Sequence, residues 1–462
     1  MKLVILGAAE SGVGAAILAQ QKGYEVFVSD KGVIQPHYKT MLDAHGIGWE
    51  EGQHTAERIL AATEVVKSPG IPDTAPIIVK LHAQGTPVIA DIEFAARYTS
   101  AKMLCITGSN GKTTTTSLIY YILQKAGFRV GLAGNIGRSF ALQVAEAEEK
   151  GMPDWFVLEL SSFQLDTMFD FRANIAVLLN ITPDHLDRYD FCMQNYVHSK
   201  MRITRNQQPD DTFIYWADDE YVPAELEKQP HVQHLLPFTD LPTEGSLGSG
   251  VGQSGHDAYG FAPGAVLCLS APVPFEMPLD ELALPGRHNL RNCLAAAMAA
   301  LQAGVSPEVV RACLHDFSGV EHRLEPVGTF HGVHYINDSK ATNVDACFVA
   351  LKAQTTPVVL IVGGTDKGND YSTLYALVRE KCRALVYLGA DNAKLHAAFD
   401  ALAAEAGIAV ADTGSMAECV AACRTLAKVG DTVLLSPCCA SFDLFQNMAD
   451  RGRQFKALVS AL

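Results

Sequence analysis

The sequence predicts an α/β protein of three domains: a Rossmann-like domain over residues 1–98, a central P-loop ATPase-type domain with a parallel sheet over 99–319, and a second Rossmann-like domain over 320–462. Three observations carry this. A chain of 462 residues exceeds what one ordinary core holds and suggests two to four domains. Continuous apolar runs such as DWFVLEL (Asp154 to Leu160) and IAVLLNI (Ile175 to Ile181) suit strands buried on both faces, as in a parallel sheet. Helical patterns alternate with such runs along the chain, the order expected of βαβ units.

The first segment reads LVILG (Leu3 to Gly7), then small residues with Gly12 and Gly14, then YEVFVSD ending at Asp30. Strand, turn, helix, strand and acidic end follow in the order of a nucleotide-binding half-sheet, where turn glycines let the backbone approach a pyrophosphate. Ala9 stands where that fingerprint has its second glycine, so a tight strand-to-helix turn without a ligand remains an alternative. VVKSPGIP (Val65 to Pro72) adds a second strand-to-loop edge, with Ser68 and Gly70 available to grip phosphate.

The densest chemistry follows the strand opening at Lys102. GSNGKTT, Gly108 to Thr114, lies between an apolar strand and a helix. Gly108 and Gly111 permit a tight loop whose amides face phosphate oxygens, Lys112 supplies a positive charge, and Thr113 offers a hydroxyl to magnesium. The helix beyond aims its positive end inward. Only two residues separate the glycines, against four in the general pattern. The loop points to a nucleoside triphosphate, ATP above all, but not to the phosphate's destination. Glu159 ends its strand in VLELSSFQLD, where a carboxylate could hold magnesium beside Thr113. Asp184 and His185 in NITPDHLDRY follow the next strand, where His185 could orient substrate or join a second metal; an ordinary surface histidine is the alternative. The Gly/Ser-rich stretch from Glu244 to Gly260 reads as a surface loop or insertion without chemistry. From about Val320 the strands PVVLIVGGT, RALVYLG and DTVLLSP alternate with helical stretches and make the third αβ layer.

Composition narrows the class. A hydrophobic fraction of 48% with 19% charged residues belongs to a folded globular chain. A formal net charge of −15 argues against nucleic-acid or anionic-membrane partners, leaving room for a local basic pocket. The opening apolar run is too short for a secretory signal, and no stretch reaches membrane-spanning length. The 11 cysteines form no CxxC framework and read as reduced thiols of a cytoplasmic protein.

The combination resembles the Mur ligase family, ATP-dependent amide-forming enzymes of peptidoglycan precursor synthesis. The resemblance rests on GSNGKTT, GNIG (Gly134 to Gly137), ELSSFQL, NITPDHLDRY, Lys200 in NYVHSK, LPGRHNLRN and EHR (Glu321 to Arg323), all in family order. INDSKATN (Ile336 to Asn343) and SPCCASFDLFQNMADRG (Ser436 to Gly452) look like the branch that adds D-glutamate to UDP-N-acetylmuramoyl-L-alanine through an acyl-phosphate.

The resemblance implies roles position by position. The phosphate loop, Gly108, Ser109, Asn110, Gly111, Lys112, Thr113 and Thr114, would hold ATP together with Asn289, Asn292, Arg323 and Asp338. Thr113 and Glu159 would bind one Mg2+; His185 and Lys200 would serve a second, with Lys200 carbamylated to become an anionic oxygen ligand. Asn135, Ser161 and Gln164 would line the muramoyl end of the substrate. Ser11, Gly12, Asp30, Lys31, Ser68 and Gly70 would hold its uridine and diphosphate. Lys340, Thr342, Lys367, Ser441 and the Phe442 backbone would take D-glutamate, two lysines answering one side-chain carboxylate. Met448 stands where the family usually has phenylalanine. The enzyme is expected to act in the cytoplasm as a monomer.

Overall fold

The structure, a computed structural model, describes all residues except 229, 241–249, 253–255, 258, 259, 262–265, 285, 318, 320 and 367. The chain forms two compact units, Met1–Ser318 and Gly319–Leu462.

The first unit contains two parallel sheets. The first is built from β1 (Lys2–Leu6), α1 (Glu10–Gln21), β2 (Glu25–Asp30), α2 (Pro36–Ala44), β3 (Gly48–Glu51), α3 (Ala56–Leu60), β4 (Glu64–Lys67), α4 (Pro76–Gln84), β5 (Val88–Ile89) and α5 (Asp91–Ala96). Its order is β3-β2-β1-β4-β5, with β1 parallel to both β2 and β4. Side chains alternate across the strands. Val4, Leu6 and Val65 pack with Ile59, Ile78 and Leu81 of α3 and α4, whereas Leu3, Ile5 and Val66 join α1 and α5 on the other face.

The second sheet comes from β6 (Lys102–Thr107), α6 (Lys112–Lys125), β7 (Val130–Gly134), α7 (Phe140–Lys150), β8 (Trp155–Glu159), α8 (Ser162–Asp166), β9 (Ile175–Leu178), α9 (Met193–Met201), β10 (Thr212–Trp216), α10 (Val222–Leu226) and β11 (His234–Phe238). Its order is β11-β10-β9-β6-β8-β7. The strands β6, β8 and β9 are fully buried apart from Lys102, as their unbroken apolar runs require. Part of the Gly/Ser-rich stretch read as a loop is strand: β12 (Gly250–Gly252) pairs antiparallel with β15 (Val266–Leu269), and β13 (His256–Asp257) with β14 (Gly260–Phe261). Backbone pairing needs no apolar side chain, so glycine-rich composition concealed it. The rest of that stretch lies outside the described residues. After β16 (Phe275–Pro278), α11 (Arg287–Gln302) and α12 (Pro307–Asp316) complete the unit.

One apolar cluster runs from the first sheet through α1, α5 and α7 into β8 and α9. Glu93 on α5 reinforces it. Its carboxylate accepts the backbone N–H groups of Phe169, Asp170 and Phe171, each at 3.0 Å, so a nearly inaccessible charge is matched by three donors. Its neighbour Asp91 is less well served, since Asp91 Oδ1 is buried without a partner and burial pushes the carboxyl up to about 6. The unfolded value is near 3.8, so ionisation costs folding energy that accumulates as pH rises from about 4 to 6 and stays constant above. Asp91→Asn is therefore expected to raise stability by about 1 kcal/mol at pH 8 and to lose that advantage at pH 4, measured by urea unfolding at the two pH values.

The second unit holds β17 (Glu325–Phe330), β18 (Val333–Asn337), α13 (Val344–Lys352), β19 (Val358–Gly363), α14 (Tyr375–Lys381), β20 (Cys382–Leu388), α15 (Ala393–Ala406), β21 (Ala409–Thr413), α16 (Met416–Leu426), β22 (Thr432–Cys438) and α17 (Met448–Ser460). The sheet order is β17-β18-β22-β19-β20-β21; β17 is antiparallel to β18 and the other pairs are parallel. Separate apolar clusters cover its two faces. All 11 cysteines are free thiols.

Candidate active site

The phosphate loop joins β6 to α6. Gly111 is the left-handed residue before the helix, φ 87°, and a Cβ there would lie 2.3 Å from Asn292 Oδ1 on α11; only glycine allows both the turn and the contact. The loop is pinned from the end of β9. Asn180 accepts the Asn110 N–H (2.9 Å) and donates to the Asn110 carbonyl (3.0 Å). The Ser109 hydroxyl donates to the Thr182 carbonyl (2.9 Å) and accepts the Thr182 N–H (2.9 Å). A loop held at this many points keeps its amide directions without a ligand.

Two lysines converge on one carbonyl. Lys112 Nζ donates to the Gly108 and Ser109 carbonyls at 2.8 and 2.9 Å, and Lys200 Nζ, from α9, donates to the same Gly108 carbonyl at 2.8 Å. Lys200 is 2% exposed and lies over the Tyr196 ring. Burial first, and the Lys112 charge second, pull its amine well below the ordinary lysine value. The sequence separates these two side chains by 88 positions; the fold brings them onto one atom.

Glu159, at the end of β8, is 1% exposed. Its Oε1 accepts from Asn135 Nδ2 (2.9 Å), and the Asn135 N–H bonds the Glu159 carbonyl (2.8 Å). Its Oε2 is buried with no partner. A buried, half-satisfied carboxylate is costly unless a cation or donor meets it, so the donor chemistry here fits a hard divalent cation such as Mg2+. Ser161 and Gln164 form a reciprocal capping box on α8, which accounts for that pair structurally. His185 is exposed, left-handed at φ 52°, and stands edge-on to Phe163. Among the described residues no three His, Cys, Asp or Glu side chains gather as a ligand set.

The sequence reading missed a cluster at the start of α11. Asp240, 0% exposed, accepts from Trp216 Nε1 (3.1 Å) and from Arg287, while Arg291 lies 3.0 Å away and stacks over the Trp216 ring at 3.7 Å. Two cations in a helix's first turns oppose its dipole; a buried aspartate offsets them. The cluster fixes the end of α11, which carries Asn289 and Asn292. Arg287 and Arg291 stand in LPGRHNLRN, but no motif marked Asp240 or Trp216 as their partners.

In the first sheet, Gly7, Ser68 and Asp30 meet at the carboxyl ends of β1, β4 and β2. Asp30 accepts the N–H groups of Ala8 and Gly32, both at 2.7 Å. Ser11 and Gly12 sit in the first turn of α1, while Lys31 and Gly70 are exposed beyond β2 and β4.

In the second unit, Asp338 follows β18 and is buried; burial pushes its carboxyl up to about 6, opposed by the Ser436 hydroxyl (2.8 Å), the Arg323 charge and the Leu324 N–H (3.1 Å). Arg323 is exposed. Lys340 and Thr342 lie in the turn after Asp338, where the Lys340 N–H bonds the His322 carbonyl (3.0 Å) and the Thr342 N–H the Lys340 carbonyl (2.9 Å). Ser441 is buried and Phe442 is 70% exposed. Lys367 lies outside the described residues. Arg451, fully buried on α17, ties the two loops together by donating to Ser339 Oγ (2.9 Å), the Ser339 carbonyl (2.8 Å) and the Cys439 carbonyl (3.2 Å). Arg451 and Ser339 both stand in the stretches that carry the resemblance, but nothing in either stretch marked them as partners.

Residues 106–300 match the Mur ligase middle domain, 322–439 the Mur ligase glutamate ligase domain, and 2–76 the MurD N-terminal domain. A UDP-N-acetylmuramoylalanine--D-glutamate ligase of Bacteroides fragilis is 57% identical over 462 residues, covering 100% of both chains. One from Porphyromonas gingivalis is 52% identical over 98% of this chain and 97% of its own. Among solved structures, the UDP-N-acetylmuramate-alanine ligase MurC of Thermotoga maritima superposes with TM-score 0.61 at 17% identity, covering 100% and 99% of the two chains, a likeness of fold. With three domain matches in order and identity sustained from end to end, the chain belongs to the Mur ligase family.

Proposed function

We propose that this chain joins D-glutamate to UDP-N-acetylmuramoyl-L-alanine, converting ATP to ADP and phosphate. The observation that carries the reading is the 57% identity over the full length of a relative bearing that activity in its name. In the reaction, a terminal carboxylate oxygen attacks the γ-phosphorus and the bond to ADP breaks. The amine of D-glutamate then attacks the acyl carbon, loses a proton, and phosphate leaves.

The residues of the first unit suit the first half. A carboxylate approaching a triphosphate needs its charge offset, and Lys112, the loop amides and the amino end of α6 are arranged to receive the phosphates. Thr113 and Glu159 would hold Mg2+, which when bound neutralises triphosphate charge. A lysine amine kept neutral, as burial favours for Lys200, is the form that combines with CO2 to give a carbamate; with His185 it would then serve a second cation. Asn135, fixed by Glu159, and the capped Ser161–Gln164 turn are suited to orient the muramoyl carboxylate. Asn289 and Asn292 would contact the nucleotide, as would Arg323 and Asp338 of the second unit. Within that unit, Lys340, Thr342, Ser441 and Phe442, with Lys367, would take D-glutamate. Among the described residues no helix is long and apolar enough to cross a membrane; we place the reaction in the cytoplasm, with a monomer as the working form.

The test is phosphate release by the purified full chain with ATP and Mg2+, with and without each acceptor. Release is expected only when UDP-N-acetylmuramoyl-L-alanine and D-glutamate are both present. Release indifferent to both overturns the reading; efficient replacement of D-glutamate by L-lysine or diaminopimelate keeps the family and changes the member.

A further inference from the structure

We propose that Lys67 is a positioning residue for the nucleoside diphosphate end of the substrate, holding the turn from Ser68 to Pro72 in shape and setting a positive charge beneath it. The inference rests on the reading of the first sheet as the UDP site.

The sheet order β3-β2-β1-β4-β5 places β1 beside β4, yet the helices that follow them lie on opposite faces, α1 on one and α4 on the other. The carboxyl ends of β1 and β4 therefore flank a topological switch point, where open α/β sheets leave a crevice for ligands. Lys67 is the last residue of β4, in register with Leu6 of β1. The loops beyond touch: a Cβ on Gly7, φ 99°, would lie 2.7 Å from Ser68 Cβ. Ala9 gives α1 no side-chain cap, so first-turn N–H groups are left to face water or an anion.

Lys67 is 3% exposed. Val65, two residues earlier and on the same face, belongs to the apolar cluster under α3 and α4, and an apolar residue at 67 would extend it. An ammonium is there instead, and burying one is unfavourable unless it is paired and hydrogen-bonded. Its Nζ donates to the Ile71 carbonyl (2.8 Å) and to Asp73 Oδ1 (2.7 Å). Those two bonds reach across the turn that carries Ser68 and Gly70, and the Ile71 N–H closes the turn onto the Ser68 carbonyl (3.0 Å). Since the Asp73 side chain is 56% exposed, solvent screens the partner more than it screens the buried ammonium.

The test compares the full chain with Lys67→Met, which keeps the side chain's length and removes its charge and donors. The Kd for UDP by calorimetry and the KM for the UDP-linked substrate are expected to rise about tenfold, as for loss of one charge-assisted hydrogen bond network. The kcat and the KM values for ATP and D-glutamate stay within about twofold, and Lys67→Arg recovers part of the UDP affinity. A lower melting temperature with unchanged UDP affinity would make Lys67 a purely structural lysine and overturn the inference. Should Lys67→Met not fold, Asp73→Asn decides: a smaller loss of UDP affinity in the same direction supports the inference, and none refutes it. If the parent chain itself does not bind UDP, the reading of the first sheet fails and the inference falls with it.

Discussion

Lys112→Ala is expected to abolish product formation, lowering kcat by about three orders of magnitude or more, as removal of a preorganised charge at a transferring phosphoryl group does. The fold should survive. The loop keeps its paired bonds between Asn180 and Asn110 and between Ser109 and Thr182, none of which involves Lys112. Lys200 retains its bond to the Gly108 carbonyl. Removing a like charge also lessens one of the two influences that depress the Lys200 amine, so the remaining lysine binds that carbonyl at least as firmly. Far-ultraviolet circular dichroism and a melting curve check the fold, and coupled ADP release checks turnover. Near-normal turnover refutes the phosphate role of Lys112.

Glu159→Gln separates catalytic value from stability in the opposite sense. The amide oxygen can still accept from Asn135, so the strand-to-loop geometry persists. What is lost is the charge on a buried carboxylate whose second oxygen has no partner. An unpaired buried charge is destabilising, so the variant is expected to melt at or above the parent temperature. Turnover should fall about a hundredfold or more and the Mg2+ concentration for half-maximal rate rise at least about tenfold, since an anionic oxygen ligand has become a neutral one. A titration of rate against Mg2+ beside a melting curve reads both. Unaltered Mg2+ dependence refutes Glu159 as a cation ligand.

The phosphate loop was legible in the sequence because its grip is local: glycines, a lysine and a helix start lie within seven consecutive residues. The parallel sheets were legible because double-faced burial writes itself as unbroken apolar runs. What was hidden depends on partners far apart in the chain. Asn180 meets Asn110 across 70 positions, Arg451 meets Ser339 across 112, and Asp240 gathers Arg287 across 47; no periodicity or motif encodes such pairings. Lys67 was overlooked because a lysine at a strand end reads as a surface residue until its burial is known. The short strands within the glycine-rich stretch escaped for another reason, since their pairing is written in the backbone. Ser161 and Gln164, assigned through the family resemblance, proved also to be a helix cap, so substrate contact and local folding would draw on the same two side chains.

The carbonyl of Gly108 holds two lysines at once, and that makes it a point of thermodynamic linkage. A triphosphate drawing on Lys112 would release one of the two donors and leave Lys200 to hold the loop. Conversion of Lys200 to a carbamate would turn the remaining donor into an acceptor-bearing anion, and the loop would then depend on Lys112 alone. If nucleotide draws on Lys112 and CO2 on Lys200, both act through one oxygen, and whatever either does to the other's affinity is returned in equal measure. A response to dissolved carbonate and a response to ATP would then be two readings of a single coupling free energy.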